Sequence, residues 1–173
     1  MKAFIIAALS ADGYIARDPS SPSTLWTSAE DKKRLVELTK RAGVVIMGQN
    51  TWKTLGGKAL KGRLNIIYSP TPLPDMPADT DITHTETTTL PPAELIASLE
   101  KRGFTEAAIC GGSMIYTMFM DSGIVDSLYL TVEPVIFSNG IRLFAGKQER
   151  KLSMIDCVKT EGGTLLLEYK VEK

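Results

Sequence analysis

Apolar residues in this chain gather into short dense runs, separated by stretches that repeat on a helical period. AFIIAAL (3–9), VVIMG (44–48), LNIIYS (64–69) and TEAAIC (105–110) are continuous runs, the mark of strands covered on both faces. From Ser28 to Ala42 the pattern changes. Leu35, Leu38 and Ala42 recur at spacings of three and four, which predicts a helix with one buried stripe. Ser28 is placed to cap that helix, Glu30 and Asp31 sit near its positive end, and Gly43 ends it. NTWKTL is expected to form a short helix. Pro91 and Pro92 open another, which runs to Arg102 and stops at Gly103, and a further helix is expected from Ser113 to about Met120. Residues 82–86 read as a short strand, and SLYLTVEPVIF, KLSMIDCVKT and TLLLEYKVE as strands with no helix between them. ARDPSSPST reads as a surface loop whose composition cannot pack, and Pro70, Pro72, Pro74 and Pro77 mark another loop. Strand–helix alternation followed by strands predicts a three-layer α/β fold in one domain over residues 1–173. Its central sheet would be mostly parallel, with antiparallel C-terminal strands.

Charge removes whole classes of partner. Twenty basic and twenty acidic side chains cancel, so the chain lacks the electrostatic footprint of a nucleic-acid or anionic-membrane binder. No apolar run reaches the length of a membrane span. The opening MKAFIIAALSADG lacks a small-residue cleavage site and reads as a first buried strand rather than a signal peptide. Cys110 and Cys157 match no metal-ligand spacing; both lie in apolar strand contexts and read as reduced core thiols of a cytoplasmic protein. No metal site is expected. His84, the only histidine, lies in ITHTETT after a proline-rich loop, a setting for a structural or rim residue rather than a catalytic base.

Two local features carry chemistry. Asp31 stands four residues before Leu35, on the apolar stripe of its own helix. A carboxylate facing apolar surroundings is costly unless it is paired. Asp31 is therefore either a first-turn residue that bends to solvent or a buried acid that grips a polar or protonatable ligand. The second feature is AAICGGSMIY, where a strand runs into Gly111-Gly112 and directly into a helix. Such a turn lets a ligand approach the backbone and offers it free N–H groups, although a plain connector would look the same. Neither a G-x-G-x-x-G fingerprint nor a P-loop is present.

Taken in order, six segments resemble the dihydrofolate reductase family: IIAALSADGYIA, LWTSAED with its acid five residues after Trp26, VIMGQNTWKTLG, LKGRLNIIYS, ICGGSMIY and LYLTVE. The resemblance covers nearly the whole chain and implies reduction of dihydrofolate to tetrahydrofolate by NADPH. It implies that Asp31 hydrogen-bonds the pterin 2-amino group and N3, with Thr131 as its partner and Trp26 positioning water nearby. Ile6, Leu35 and Leu55 would line the pterin and aminobenzoyl pocket, and Arg63 would pair with the substrate's glutamate tail. Toward the cofactor it implies the backbone of Ala8 and Ile15 at the nicotinamide, and Gly48, Gln49, Asn50 and Thr51 at the pyrophosphate. Tyr68 and Ser69, the Gly111–Gly112 cis peptide, and Ser113, Met114, Ile115 and Tyr116 complete that side. The chain departs from the family pattern at Leu25 and Lys61, where proline is usual, and at Gln49 and Met114, which replace arginines near the adenosine end. SADGYIA and VEPVIFSNGIRLF also look like the reductase domain of bacterial riboflavin biosynthesis. That leaves a ribosylaminopyrimidine phosphate as an alternative substrate, and a non-catalytic nucleotide- or folate-binding module as an alternative of another class.

Overall fold

The structure is a computed structural model that describes residues 1–73 and 76–173. One sheet of eight strands forms its centre, in the order β5-β4-β3-β6-β1-β7-β10-β9. Its parallel part comprises β1 (Lys2–Ser10), β3 (Val44–Gly48), β4 (Leu64–Tyr68), β5 (His84–Thr88), β6 (Glu106–Ile109) and β7 (Val125–Glu133). The last two strands, β9 (Leu152–Lys159) and β10 (Leu165–Val171), are antiparallel. A separate two-stranded ribbon joins β2 (Tyr14–Ala16) to β8 (Ile141–Arg142). The helices are α1 (Ala29–Ala42), α2 (Gln49–Thr54), α3 (Pro92–Lys101) and α4 (Ser113–Asp121).

The continuous apolar runs are explained by burial on both faces. Along β1, Ala3, Ile5 and Ala7 join the cluster beneath α3 and α4, and Phe4 and Ile6 point the other way, into the cluster beneath α1 and α2. The expected mostly parallel sheet with an antiparallel C-terminal end is what forms. Ser28 caps α1 by accepting from the Asp31 N–H, and Gly43 closes the helix with φ 71°. The strand expected at 82–86 lies two residues later, at His84–Thr88. The β2–β8 ribbon and a 3-10 turn at Ser23–Leu25 were not foreseen, being too short to show a period.

Two sequence readings are corrected. Cys157 is not in the core: β9 is an edge strand, every residue of it is exposed, and its apolar side chains have no helix over them. Cys110 is partly buried, and both thiols are free. Leu35 and Leu38 are only half-buried, while Thr39 carries no exposed surface and is the better-buried residue of α1. The ARDPSSPST segment is the surface loop expected: Arg17, Pro19, Ser20 and Thr24 are exposed, and Asp18 accepts from the Ser20 backbone N–H at 2.8 Å and from the Ser21 hydroxyl at 2.6 Å. Pro74 of the proline-rich loop lies outside the described residues.

Candidate active site

Because β1, β3, β4 and β6 run parallel, their carboxyl ends reach one edge of the sheet together. A crevice of about 500 Å³ opens there, the usual location for ligands in such sheets. Ala7 and Ala8 come from the end of β1, Met47 and Gly48 from β3, Tyr68 from β4, and Cys110 to Gly112 from the turn after β6. The loop before α1 folds over as a rim, bringing Asp18 and Pro22 to the wall. Among the described residues no Lys, Arg or His lines the crevice.

Asp31 stands in this wall with 7% of its surface exposed. Burial raises its pKa above the ordinary carboxylate value. The hydroxyls of Thr131 and Thr27 pull it back down, the nearby Glu133 charge adds to the rise, and Arg34 opposes it. The Thr27 and Thr131 hydroxyls face Asp31 without closing a hydrogen bond of ordinary geometry, and neither has another protein partner. Thr131 is fully buried on β7, beside Ala8 of β1. Trp26 packs its ring edge-on against Phe137 at 4.9 Å, and its buried Nε1–H has no protein acceptor. The acid thus has two buried hydroxyls beside it that lack another partner among the described residues, a setting that suits an ordered water or a polar ligand edge.

The other half of the crevice is backbone. Gly48 caps α2 and Gly112 caps α4, neither with a side-chain capping bond, so the first N–H groups of both helices are free. The Gly48 N–H donates to the Gly111 carbonyl at 2.7 Å and ties the two turns together. The Gly111–Gly112 peptide is cis. A Cβ on Gly48 would lie 3.0 Å from Ile115, and one on Gly111 would lie 3.1 Å from the Tyr116 hydroxyl. That hydroxyl donates to the Ile6 carbonyl at 2.8 Å, and burial drives its pKa up. Burial likewise pushes the Cys110 thiol up to about 12, so it is a wall residue and no thiolate nucleophile. This cradle of glycines and unpaired N–H groups fits a pyrophosphate.

Seventeen of the residues singled out from sequence meet in this wall: Ile6, Ala8, Ile15, Asp31, Leu35, Gly48 to Thr51, Leu55, Tyr68 and Gly111 to Tyr116. Thr131 stands beside the acid, and Trp26 packs on Phe137 outside the wall. Ser69 is turned inward, its hydroxyl donating to the Thr71 carbonyl at 2.6 Å. Arg63 is also outside the wall. It is 7% exposed, donates to the Thr39 hydroxyl at 2.6 Å and the Lys61 carbonyl at 3.0 Å, and pairs with no carboxylate among the described residues. His84 lies on the far edge strand, with its Nδ1 3.2 Å from Asp79. Sequence reasoning missed Thr27, Arg34 and Glu133. Arg34 follows Asp31 by one helical turn, and Glu133 follows Thr131 by one strand repeat, so periodicity alone places both beside known site residues.

A mixed α/β sheet thus carries a glycine turn and a buried acid together at one edge. The dihydrofolate reductase family model matches residues 2–139, and the chain belongs to that family. No curated protein matches it in sequence. Among solved structures, a protein from Shewanella sp. PV-4 named for riboflavin biosynthesis is similar over 100% of both chains, at TM-score 0.81 and 21% identity. The Thermotoga maritima diaminohydroxyphosphoribosylaminopyrimidine deaminase/5-amino-6-(5-phosphoribosylamino)uracil reductase gives TM-score 0.76 at 15% identity, over 99% of this chain and 56% of that one. Dihydrofolate reductase from Enterococcus faecalis, complexed with NADP(H) and RAB-propyl, gives 0.70 at 20% identity, over 99% and 97%. No helix among the described residues is long and apolar enough to cross a membrane.

Proposed function

We propose that the chain reduces dihydrofolate to tetrahydrofolate with NADPH. The observation that carries this reading is Asp31, a buried acid in the crevice wall beside the Thr27 and Thr131 hydroxyls, which have no other partner among the described residues. An acid in that setting pairs with the amino and N3 edge of a pterin and polarises the ring. Arg63 supports the same substrate. A buried guanidinium with no carboxylate partner among the described residues suits an anionic tail. It is held by Thr39, eight residues along α1 from Asp31, which is about 12 Å of helix.

Ile6, Leu35 and Leu55 form the apolar walls for the ring and its aromatic spacer. Gly48 to Thr51 and Gly111 to Tyr116 would hold the dinucleotide, through the free N–H groups at the starts of α2 and α4. When bound, the reduced nicotinamide supplies the hydride taken up by pterin C6, and N5 takes a proton from water. Ala8 and Ile15 line the intervening wall and help to keep bulk water out.

A second reading rests on the riboflavin-type neighbours with higher TM-scores. A phosphorylated pyrimidine could use Arg63 for its phosphate as well, but it gives no role to the buried Asp31 beside Thr131. The test is NADPH oxidation with dihydrofolate and, in parallel, with a ribosylaminopyrimidine phosphate. Turnover of dihydrofolate is expected; oxidation with the pyrimidine alone, or with neither, would overturn the proposal.

A further inference from the structure

A second carboxylate lies behind the first. Glu133, at the end of β7, is 3% exposed. Its Oε1 accepts from both the backbone N–H and the hydroxyl of Ser28, each at 2.7 Å, and its Oε2 accepts from the Thr164 hydroxyl at 2.7 Å. The Ser28 oxygen in turn accepts from the Asp31 N–H at 3.2 Å. Ser28 is the N-cap of α1, so Glu133 bonds the cap that fixes the first turn of the helix carrying Asp31. All three contacts to Glu133 are donors, the arrangement an ionised carboxylate requires when taken out of water. No Lys or Arg neutralises it among the described residues. Thr131, two residues earlier on the same strand, shares its face. One strand thus supplies both the hydroxyl beside Asp31 and the anchor of its helix.

We propose that Glu133 is a positioning residue for Asp31, holding the first turn of α1 through Ser28 and placing a fixed negative charge behind the acid. The inference rests on Asp31 being the site acid of the reductase proposed above. The hydrogen-bond chain alone would make Glu133 a structural anchor. The uncompensated charge adds an electrostatic role: it disfavours ionisation of Asp31, as burial does. The other ionisable groups facing Asp31 are Arg34, from α1 itself, and Tyr116, from α4. Arg34 is shared with Glu168 of β10, Tyr129 of β7 and Asp156 of β9, and its guanidinium donates to the Leu130 and Leu167 carbonyls. It therefore does not cancel Glu133.

The test is the titration of the Asp31 carboxyl, followed by carbon NMR in the ligand-free chain, beside the pH profile of kcat/KM for dihydrofolate. Glu133→Gln keeps the shape and removes the charge. The Asp31 midpoint is expected to fall, with the kinetic profile following it. Thr164→Val removes one hydrogen bond but no charge, and should leave the midpoint in place. An unchanged Asp31 midpoint in folded Glu133→Gln overturns the proposal. If that variant does not fold, Glu133→Asp decides: it keeps the charge but draws it back by one methylene, so the Asp31 midpoint should fall by less, and an unchanged midpoint overturns the proposal. Because the midpoint is read without substrate, a shift in a chain that never turns over dihydrofolate would leave the coupling standing and remove the functional reading instead.

Discussion

Asp31 is held where its charged form is disfavoured, and that has a consequence for stability as well as chemistry. Its pKa in the fold lies above the ordinary carboxylate value it has when unfolded. The folded state therefore binds the proton more tightly, and stability falls as pH rises from the unfolded value through the folded one. Asn at this position has no charge to bury, and its amide oxygen can accept from the unpartnered Thr27 and Thr131 hydroxyls. Asp31→Asn is expected to melt higher than the parent near neutral pH, with the gap closing as pH falls into the ordinary carboxylate range. Melting curves across pH check this; a variant that melts lower at neutral pH contradicts it. Arg63 makes the complementary case for the substrate tail. Arg63→Ala should weaken binding of dihydrofolate by roughly ten- to a hundred-fold while NADPH affinity stays near the parent's. Fluorescence titration with each ligand measures both, and equal losses for the two would reduce Arg63 to a strut between α1 and the loop before β4. Asp31 was legible in sequence because a carboxylate broke an apolar stripe. Arg63 was not, since one arginine in LKGRLNIIYS has no pattern to break, and only the family resemblance singled it out. Glu133 lay in plain view in LYLTVE, but a strand's inward carboxylate looks like any outward one until the facing helix is in place.

At the scale of elements, the turn from β6 into α4 decides how closely a dinucleotide can approach. Gly111 has φ 115°, a region that side chains rarely adopt, and an added Cβ would sit 3.1 Å from the Tyr116 hydroxyl. Gly112 has an extended φ of −83°, and its Cβ would meet only the Thr51 hydroxyl, at 3.3 Å. Gly111→Ala is therefore expected to cost about 1–3 kcal/mol in stability and to displace Tyr116, weakening NADPH binding with it. Gly112→Ala should fold nearly as well as the parent and lose its affinity through crowding at Thr51. Thermal melting beside NADPH titration separates the two, and a Gly111→Ala chain as stable as the parent would contradict the account. The strand–glycine–helix succession was readable from AAICGGSMIY, whereas the division of labour between the two glycines was not, because it depends on where Tyr116 and Thr51 point. The loop before α1 was legible as a surface segment, whereas its place on the crevice wall was not, because that depends on the strands beneath it.

Across the whole molecule, the sheet order brings distant segments to one edge. Because β1 lies between β6 and β7, the glycine turn comes to one side of its carboxyl end and Thr131 to the other. The helix α1, which follows β1, sets Asp31 against that same edge. The mixed sheet was legible because runs buried on both faces differ from helical stripes; Cys157 was misplaced because the same apolar run can belong to an uncovered edge strand. In the reaction proposed above, Asp31 is the acid on which hydride transfer depends. Hydride transfer from NADPH to dihydrofolate is to be followed by stopped flow in the parent and in Asp31→Asn. The rate is expected to drop by about a hundred- to ten-thousand-fold at neutral pH and to recover in part in acid, where the substrate arrives protonated. A near-parental rate at neutral pH in a folded Asp31→Asn chain would contradict it.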